Sequence, residues 1–468
     1  MDKLSARDCG PPKLKFLDVA LTTTVLTVGL RWLTVAAAVG PASFPVWFAA
    51  YALFFLPLVA ATAEMTDRVA GEGGIYAWVR DTLGPLPGFV CGWFYWIGLI
   101  PVYAGMLYFL AGLITAYAGY GAKDGAVYLA ISIGLLGIVI GVQLLGLRAG
   151  KWLTNFGSLG SWAVFAVILG VALLIARRGG AATHFLHASY VPGLDFDTAI
   201  LVSTIVFAFG GPESLGFVRN EIEGGIRTVR RALVVVGFSA ALIYCVGTAA
   251  FLVILPQTEL TRLAGFQDAL QAGLARTGLG WLAPAAIGAF ALAMFGSLSG
   301  WFGAGARLPF AAGLDHFLPP LFARRNAGTG APVAAILLQA ALTLVVVVLS
   351  QAGETVATAY DLLVAMGTLT TTIPYVLLFV AYRKISRDGA GGAWRPPGGA
   401  RTSFILASVG VVSSLTGIAC ALVPSAADAH PLATFLKIVL STLAMLIMGL
   451  ALYWLATSRR PAVDAPLA

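Results

Sequence analysis

Residues 203–217 read STIVFAFGGPESLGF, an apolar run that is interrupted where a continuous membrane helix would need regular backbone. The triplet Gly210-Gly211-Pro212 lacks one backbone donor and disfavours helical geometry. Glu213 follows at once, and a carboxylate at membrane depth costs several kcal/mol unless it is paired or hydrated. Non-helical backbone is tolerated at that depth where it is buried in protein or lines a cavity. Glycines that merely let helices pack closely are the alternative, but the added Pro and Glu favour a break.

A second apolar run, residues 21–38, shows a similar interruption: LTTTVLTVGLRWLTVAAA carries Gly29 and Arg31 near its middle. For Gly29 alone, close packing explains the glycine equally well. The two runs are the first and sixth of the chain, which suits two inverted repeats of five spans each. Interrupted segments at corresponding positions in two halves point to a transporter's binding site, where half-helix amides attract an anionic group such as a carboxylate.

Composition places the whole chain in a lipid bilayer. Of its 468 residues, 59% are hydrophobic and 11% are charged, and the mean hydropathy is +0.89; soluble domains carry about 25% charged residues. Apolar runs repeatedly reach the roughly 20 residues that cross about 30 Å of hydrocarbon. We therefore predict an all-α polytopic membrane protein with twelve transmembrane helices. The predicted spans are 17–40, 43–67, 88–117, 125–147, 152–176, 197–218, 232–256, 281–311, 331–350, 357–382, 403–424 and 432–457.

The basic residues predict the orientation of these spans. With the N-terminus placed in the cytoplasm, 22 of the 29 Lys and Arg residues fall in inside segments and 5 in outside segments, while Arg31 and Lys437 lie within spans. Basic residues favour the cytoplasmic side, so we expect both termini to be cytoplasmic in a cytoplasmic (inner) cell membrane. This distribution also explains the net charge of +8 without a nucleic-acid partner.

The predicted organisation has no soluble domain. It comprises a cytoplasmic tail (1–16), a ten-helix inverted-repeat core (17–382), a Gly/Pro-rich cytoplasmic linker (383–402), helices eleven and twelve (403–457) and a cytoplasmic tail (458–468). The basic, polar start and the long apolar run after it do not fit a cleavable signal peptide.

Three motifs resemble the amino acid–polyamine–organocation superfamily. Residues 63–85, AEMTDRVAGEGGIYAWVRDTLGP, carry its GG-x-Y-x-W core. Residues 207–233, FAFGGPESLGFVRNEIEGGIRTVRRAL, are similar to its break followed by a charged loop, with glycines 224–225 in place of the usual Pro. Residues 296–332 resemble its Gly-rich helix followed by Arg307, Asp315 and Pro319. The resemblance covers residues 15–382, and the EGGIYAWV, GWFYW and MLYF segments look most like the glutamate/γ-aminobutyrate antiporters.

The resemblance implies alternating access around a central amino-acid site. The substrate-binding candidates are Thr27, Gly29, Leu30, Arg31, Tyr95, Leu99, Phe207, Phe209, Gly210, Gly211 and Trp301. Glu213 and Tyr103 are the candidates for gating or proton sensing, with a structural bond from Glu213 to a helix-end amide as the alternative. Phe207 and Trp301 match the aromatic residues that face the site in this superfamily, although simple packing is the other interpretation of each.

Arg31 departs from the superfamily, which usually has small residues in this break. Its guanidinium could clamp a carboxylate in bidentate fashion, pair with Glu213, or extend toward the outer surface. The first case favours an acidic or neutral amino acid, and the second favours a polyamine or a cationic amino acid.

The residues favour transport over other membrane functions. An enzyme would need paired carboxylates, a metal motif or an activated nucleophile, and the four histidines lie in loops or at span ends. A channel would need a filter or repeated pore loop. We predict no cofactor and no metal site, an amino acid or amine as substrate, antiport or proton-linked uptake, and a monomer or homodimer in the bilayer.

Overall fold

The chain is all-helical across the residues that its computed structural model describes, which are 13–69, 73–118, 125–193, 196–260, 265–315, 317–350, 356–387, 394–423 and 431–458. The helices of the first half are α1 (Phe16–Thr27), α2 (Trp32–Val39), α3 (Ser43–Ala50), α4 (Leu56–Arg68), α5 (Ile75–Leu83), α6 (Pro85–Tyr117), α7 (Gly125–Leu144) and α8 (Leu147–Arg177). Those that follow are α9 (Phe196–Ala208), α10 (Gly225–Ile254), α11 (Gly265–Thr277), α12 (Ala283–Gly305), α13 (Arg307–Leu314), α14 (Val333–Ser350), α15 (Val356–Arg387), α16 (Gly399–Ala421) and α17 (Pro431–Ser458).

The chain leaves the α-helical conformation at both interruptions seen in the sequence. Helix α1 ends at Thr27 and α2 begins at Trp32. Helix α9 ends at Ala208, and a short 3₁₀ helix, Pro212–Phe217, follows the two glycines. Gly211 has a φ of +135°, which L side chains rarely adopt. The break in the sixth run thus depends on glycine as well as on the following proline.

Ten helical stretches in the described ranges are long and apolar enough to cross a membrane. Two further apolar helices, Phe16–Thr27 and Val333–Leu349, are shorter. Helix α1 falls short because the break cuts the first predicted span into two pieces. The protein is therefore a multi-pass helical membrane protein, as composition predicts.

Small residues bring long helices into backbone contact around the centre of the bundle. A Cβ added to Gly157 of α8 would lie 2.8 Å from the Cα of Gly296 on α12. A Cβ added to Gly296 would lie 2.7 Å from the Cα of Gly157. Helices α6 and α15 pack against each other equally extensively, and α16 packs along α15. Close approach of this kind is how membrane helices gain van der Waals contact without help from water.

One end of the bundle, here called the basic end, carries Arg148, Lys151 and Arg307, which border one cavity. Arg307 holds Glu221 through two parallel hydrogen bonds of 2.9 Å. Such bidentate pairs are the strong form of a charged hydrogen bond, and this one fixes the start of α13 against the loop after the sixth run.

A second pairing at the basic end joins α5 to the end of α13. The Tyr76 hydroxyl and the Arg80 guanidinium both donate to the Asp315 carboxylate. Burial raises the pKa of the Tyr76 phenol, and the hydrogen bond to Asp315 raises that pKa further. The phenol therefore stays protonated and remains a donor at physiological pH.

The described part of the predicted linker is anchored. Helix α15 continues to Arg387, beyond the predicted end at 382, and residues 388–393 lie outside the described residues. The backbone N–H of Trp394 donates to the Asp67 carboxylate at 2.7 Å. The Nε atom of Arg395 lies 3.4 Å from the Oε1 atom of Glu64. Most of the predicted tails, residues 1–12 and 459–468, also lie outside the described ranges.

The glycine conformation at the second break can be tested by Gly211→Ala. The new Cβ would lie 2.8 Å from the Cα of Thr27, so overpacking of about 1–3 kcal/mol adds to about 1–2 kcal/mol of backbone strain. We expect a lower thermal unfolding temperature in detergent. Gly179→Ala is the control, because Gly179 has a φ of +70° with nothing within 4 Å of the added Cβ. Equal shifts in both variants would contradict the close approach of the two breaks.

Candidate functional site

A small cavity of about 40 Å³ lies between the two helix breaks. Its walls come from the α1–α2 break, from the end of α9, and from α6, α12 and α15. Ligand sites for small molecules are usually about 300–1,000 Å³. The cavity in this structure is therefore well below the volume of a typical small-molecule site.

Eight of the predicted substrate-binding residues meet at this cavity. They are Thr27, Gly29, Arg31, Tyr95, Leu99, Phe207, Gly210 and Trp301. Residues far apart in the sequence are thus brought to one place by the two breaks and by helices α6 and α12.

Five other predicted residues lie behind the cavity wall. They are Leu30, Phe209, Gly211, Glu213 and Tyr103, all of which are buried. The Phe209 ring packs in an aromatic cluster with Trp47 and Tyr244. Phe209 follows the end of α9, and its side chain points away from the cavity that Phe207 lines. In this structure these five can act on a substrate through the residues in front of them.

Arg31 lies in the cavity wall and is 6% exposed. Its guanidinium carbon lies 4.2 Å from the centre of the Trp32 ring. Trp32 in turn meets Phe207 edge to face, with ring centres 5.5 Å apart. The charge is thus stacked on an aromatic pair that joins the first break to the second, in an arrangement that favours a cation.

Glu213 is fully buried and joins three helical segments behind the cavity. Its carboxylate accepts hydrogen bonds from Tyr95 of α6 at 2.6 Å and from Tyr375 of α15 at 2.7 Å. The backbone N–H of Gly211 donates to the same carboxylate at 2.9 Å. Both tyrosines line the cavity, so Glu213 is bonded directly to two residues of the cavity wall.

Thr27 supplies a polar atom that the surrounding protein does not use. Its hydroxyl is buried and has no hydrogen-bond partner among the described residues, while the residue is 1% exposed and lines the cavity. An unused buried hydroxyl costs free energy, and a bound substrate or water can recover that cost.

Trp301 separates this cavity from a larger one. Its indole N–H donates to the backbone carbonyl of Leu26 at 3.0 Å, and its own carbonyl accepts from Tyr103 at 2.9 Å. Leu26 borders both cavities. The Trp301–Leu26 hydrogen bond therefore lies at the partition between them.

The larger cavity, here called the vestibule, has a volume of about 680 Å³ and reaches the basic end. Its walls include Thr22, Lys151, Thr154 and Arg307. Lys151 pairs with Asp18 at 2.9 Å and so ties α1 to α8 beside the vestibule. The vestibule thus carries charged and hydroxyl-bearing side chains among mainly apolar ones, and Leu26 is shared with the small cavity.

Sequence reasoning missed several residues of the cavity wall. Tyr375, Trp32, Ser297 and Thr371 all line the cavity. Tyr375 follows Pro374 inside α15, and a proline within a predicted span is a signal that could have identified it. Trp32 could have been found as the neighbour of Arg31, since a tryptophan face suits a guanidinium.

Comparison with known proteins places this architecture in context. A family described as "Amino acid permease" matches residues 14–450. A protein named "Probable agmatine/putrescine antiporter" from Lactococcus lactis subsp. lactis is 23% identical, over 73% of this chain and 73% of its own length. A glutamate/γ-aminobutyrate antiporter of the same organism is 26% identical, over 81% of this chain and 77% of its own. A transporter of Legionella pneumophila is 23% identical, over 88% and 89% of the two chains.

The partition at Trp301 can be tested by Trp301→Phe. Losing one hydrogen bond of about 1 kcal/mol should raise the population in which the two cavities connect by about fivefold. We expect a cysteine introduced at Ser297, in a chain without its natural cysteines, to react correspondingly faster with a small thiol reagent. Thr22→Cys in the vestibule is the control and should react at the same rate in both backgrounds. An unchanged rate at position 297 would argue against the partition.

Proposed function

We propose that this chain, which belongs to the amino acid permease family, is a secondary transporter that carries an amino acid across the cell membrane by alternating access. Antiport and proton-linked uptake are both compatible with its site. The observation that carries the proposal is a buried cavity between two helix breaks, whose mainly apolar wall includes Thr27, Arg31 and Tyr375; transporters bind their substrates at breaks of this kind. The relatives described above are named as antiporters or transporters, which favours transport over catalysis.

The proposed architecture has twelve spans, with ten in two inverted five-span repeats and two more at the C-terminal end. Helix packing supports the repeat. Counting the breaks as spans one and six, α6 and α12 are spans three and eight, and α8 and α15 are spans five and ten. The two most extensive pairings, α12 with α8 and α15 with α6, exchange when each span is replaced by its counterpart five spans away.

The basic end is proposed to face the cytoplasm. The distribution of 22 basic residues on this side against 5 on the other fits the preference of Lys and Arg for cytoplasmic loops. The vestibule would then connect the substrate cavity with the cytoplasm, and both termini would be cytoplasmic.

The proposed substrate is an acidic or neutral amino acid whose carboxylate is held by Arg31. The guanidinium lines the cavity next to the start of α2, where the positive end of the helix dipole adds to its charge. A planar guanidinium recognises a carboxylate through two parallel hydrogen bonds. The relative named as a glutamate/γ-aminobutyrate antiporter is consistent with this class.

A polyamine or cationic amino acid is the second candidate, and the relative named for agmatine and putrescine supports it. It would require the positive charge of Arg31 to be neutralised by Glu213. In this structure the Glu213 carboxylate is instead engaged by two tyrosine hydroxyls and a backbone amide, which favours the first candidate.

Counterflow in proteoliposomes tests the proposal. A panel of glutamate, γ-aminobutyrate, neutral amino acids, arginine, agmatine and putrescine would separate the two substrate classes. Failure to exchange any amino acid or amine, with or without a pH gradient, would overturn the transporter proposal.

Arg31→Ala tests the carboxylate clamp. A hydrogen bond to a charged group contributes about 1.5–3 kcal/mol, so we expect the KM for an acidic or neutral amino acid to rise about 10- to 100-fold. Arg31→Lys retains the charge without the planar fork and should give an intermediate KM. Arg178→Ala removes an exposed guanidinium and should leave KM unchanged. An unaltered KM in Arg31→Ala would exclude the clamp.

Glu213→Gln tests whether the buried carboxylate links transport to pH. The amide keeps the size of the side chain but cannot titrate, so the rate of exchange should lose its dependence on pH. Glu64→Gln is the matched control, because Glu64 is equally buried but pairs with Arg68 at the basic end. A pH profile that Glu213→Gln leaves intact would remove Glu213 as the proton-sensing group.

A further inference from the structure

We infer that Tyr244, on α10, is a positioning residue that ties the two helix breaks together through one hydroxyl group. The inference rests on the proposed function, because it concerns how the walls of the substrate cavity are held. Tyr244 is fully buried and lies outside the cavity wall. It therefore acts through the backbone of the residues in front of it.

The hydroxyl oxygen of Tyr244 reaches both breaks at hydrogen-bond distance. It accepts the backbone N–H of Gly29 at 3.0 Å in the first break. It lies 2.9 Å from the carbonyl of Thr27, at the end of α1, and 2.8 Å from the carbonyl of Ala208, at the end of α9. One side-chain atom thus contacts two backbone groups of the first break and one at the second, about 180 residues further along the chain.

The carbonyls of Thr27 and Ala208 need a hydrogen-bond donor, because each belongs to the last residue of a helix that ends inside the membrane. The last carbonyls of a helix have no partner within the helix, and hydrocarbon offers no water in exchange. A phenol has one proton to donate and lone pairs that accept. Tyr244 can therefore accept from Gly29 at all times while its proton goes to Thr27 or to Ala208.

The ring of Tyr244 is held so that the hydroxyl stays in place. It stacks on Trp47 with ring centres 4.3 Å apart and an angle of 13° between the planes, and meets Phe209 edge to face at 5.2 Å. Trp47 itself donates to Thr248 at 3.2 Å, one turn along α10 from Tyr244. Locked side chains of this kind hold a site to the small tolerances that binding requires.

The backbone groups that Tyr244 bonds belong to the cavity wall. Thr27, Gly29 and Ala208 all line the cavity, and Arg31 follows two residues after Gly29. The hydroxyl therefore sets the spacing between the wall supplied by the first break and the wall supplied by the second.

Tyr244→Phe tests the inference, because it keeps the ring stacked on Trp47 and removes only the hydroxyl. We expect the KM for counterflow of the transported amino acid to rise about tenfold. Tyr108→Phe is the control, because Tyr108 is equally buried and donates to the carbonyl of Val347 at 2.7 Å, away from the cavity. The control should lower the unfolding temperature by a similar amount and leave KM unchanged.

The possible results distinguish the positioning role of Tyr244 from the proposed transport function. A KM in Tyr244→Phe equal to that of the natural protein, or equal KM changes in both variants, would overturn the positioning role and leave the transport proposal intact. Absence of any counterflow in the natural protein would overturn the proposed function and the inference with it. If Tyr244→Phe does not fold, the same KM measurement on Trp47→Leu tests the inference. This substitution removes the ring that stacks on Tyr244 and keeps the Tyr244 hydroxyl. A raised KM then supports the inference, and an unchanged KM overturns it.

Discussion

The constraint on which this structure depends is that backbone polar groups inside hydrocarbon must find partners within the protein. The chain breaks two membrane helices and thereby exposes amides and carbonyls at the place where water is absent. The Tyr244 hydroxyl lies within donating distance of the carbonyls at the ends of α1 and α9, and the Glu213 carboxylate accepts a hydrogen bond from the backbone N–H of Gly211. Each break is thus stabilised by a side chain that also links it to another helix, which makes the breaks part of one rigid centre.

The same constraint explains why aromatic and hydroxyl-bearing residues dominate this centre. Tyr95 and Tyr375 present an apolar ring to the bundle and a donor to Glu213. Burying a charge without such donors would cost far more than burying a neutral group. These donors stabilise the Glu213 carboxylate at membrane depth, while Arg31 lines the cavity.

Sequence reasoning predicted the parts of this arrangement that have a local cause. Gly-Gly-Pro in the sixth run and Gly29 in the first mark the breaks because glycine and proline act on their own backbone. Five of the predicted residues that reach the cavity lie at or beside the breaks, namely Thr27, Gly29, Arg31, Phe207 and Gly210. The other three, Tyr95, Leu99 and Trp301, lie on α6 and α12 and were candidates because of the family resemblance. Tyr244 could not be found in this way, because its partners Thr27 and Gly29 are more than 200 positions away and its own helix is regular. Whether Phe209 or Phe207 faces the cavity was equally hidden, since it depends on how the chain turns after α9.

The unequal sizes of the two cavities indicate how the bundle would move. The vestibule of about 680 Å³ already reaches the basic end, whereas the central cavity is about 40 Å³. Between them lie Leu26 and Trp301, joined by one neutral hydrogen bond, and a neutral bond contributes only about 1 kcal/mol. Trp32 and Phe207 meet edge to face and join the first break to the second, while Trp47 of α3 stacks on Tyr244 of α10 outside the cavity wall. Under the proposed alternating access, opening toward the vestibule would separate Trp301 from Leu26, and moving the two breaks apart would separate Trp32 from Phe207.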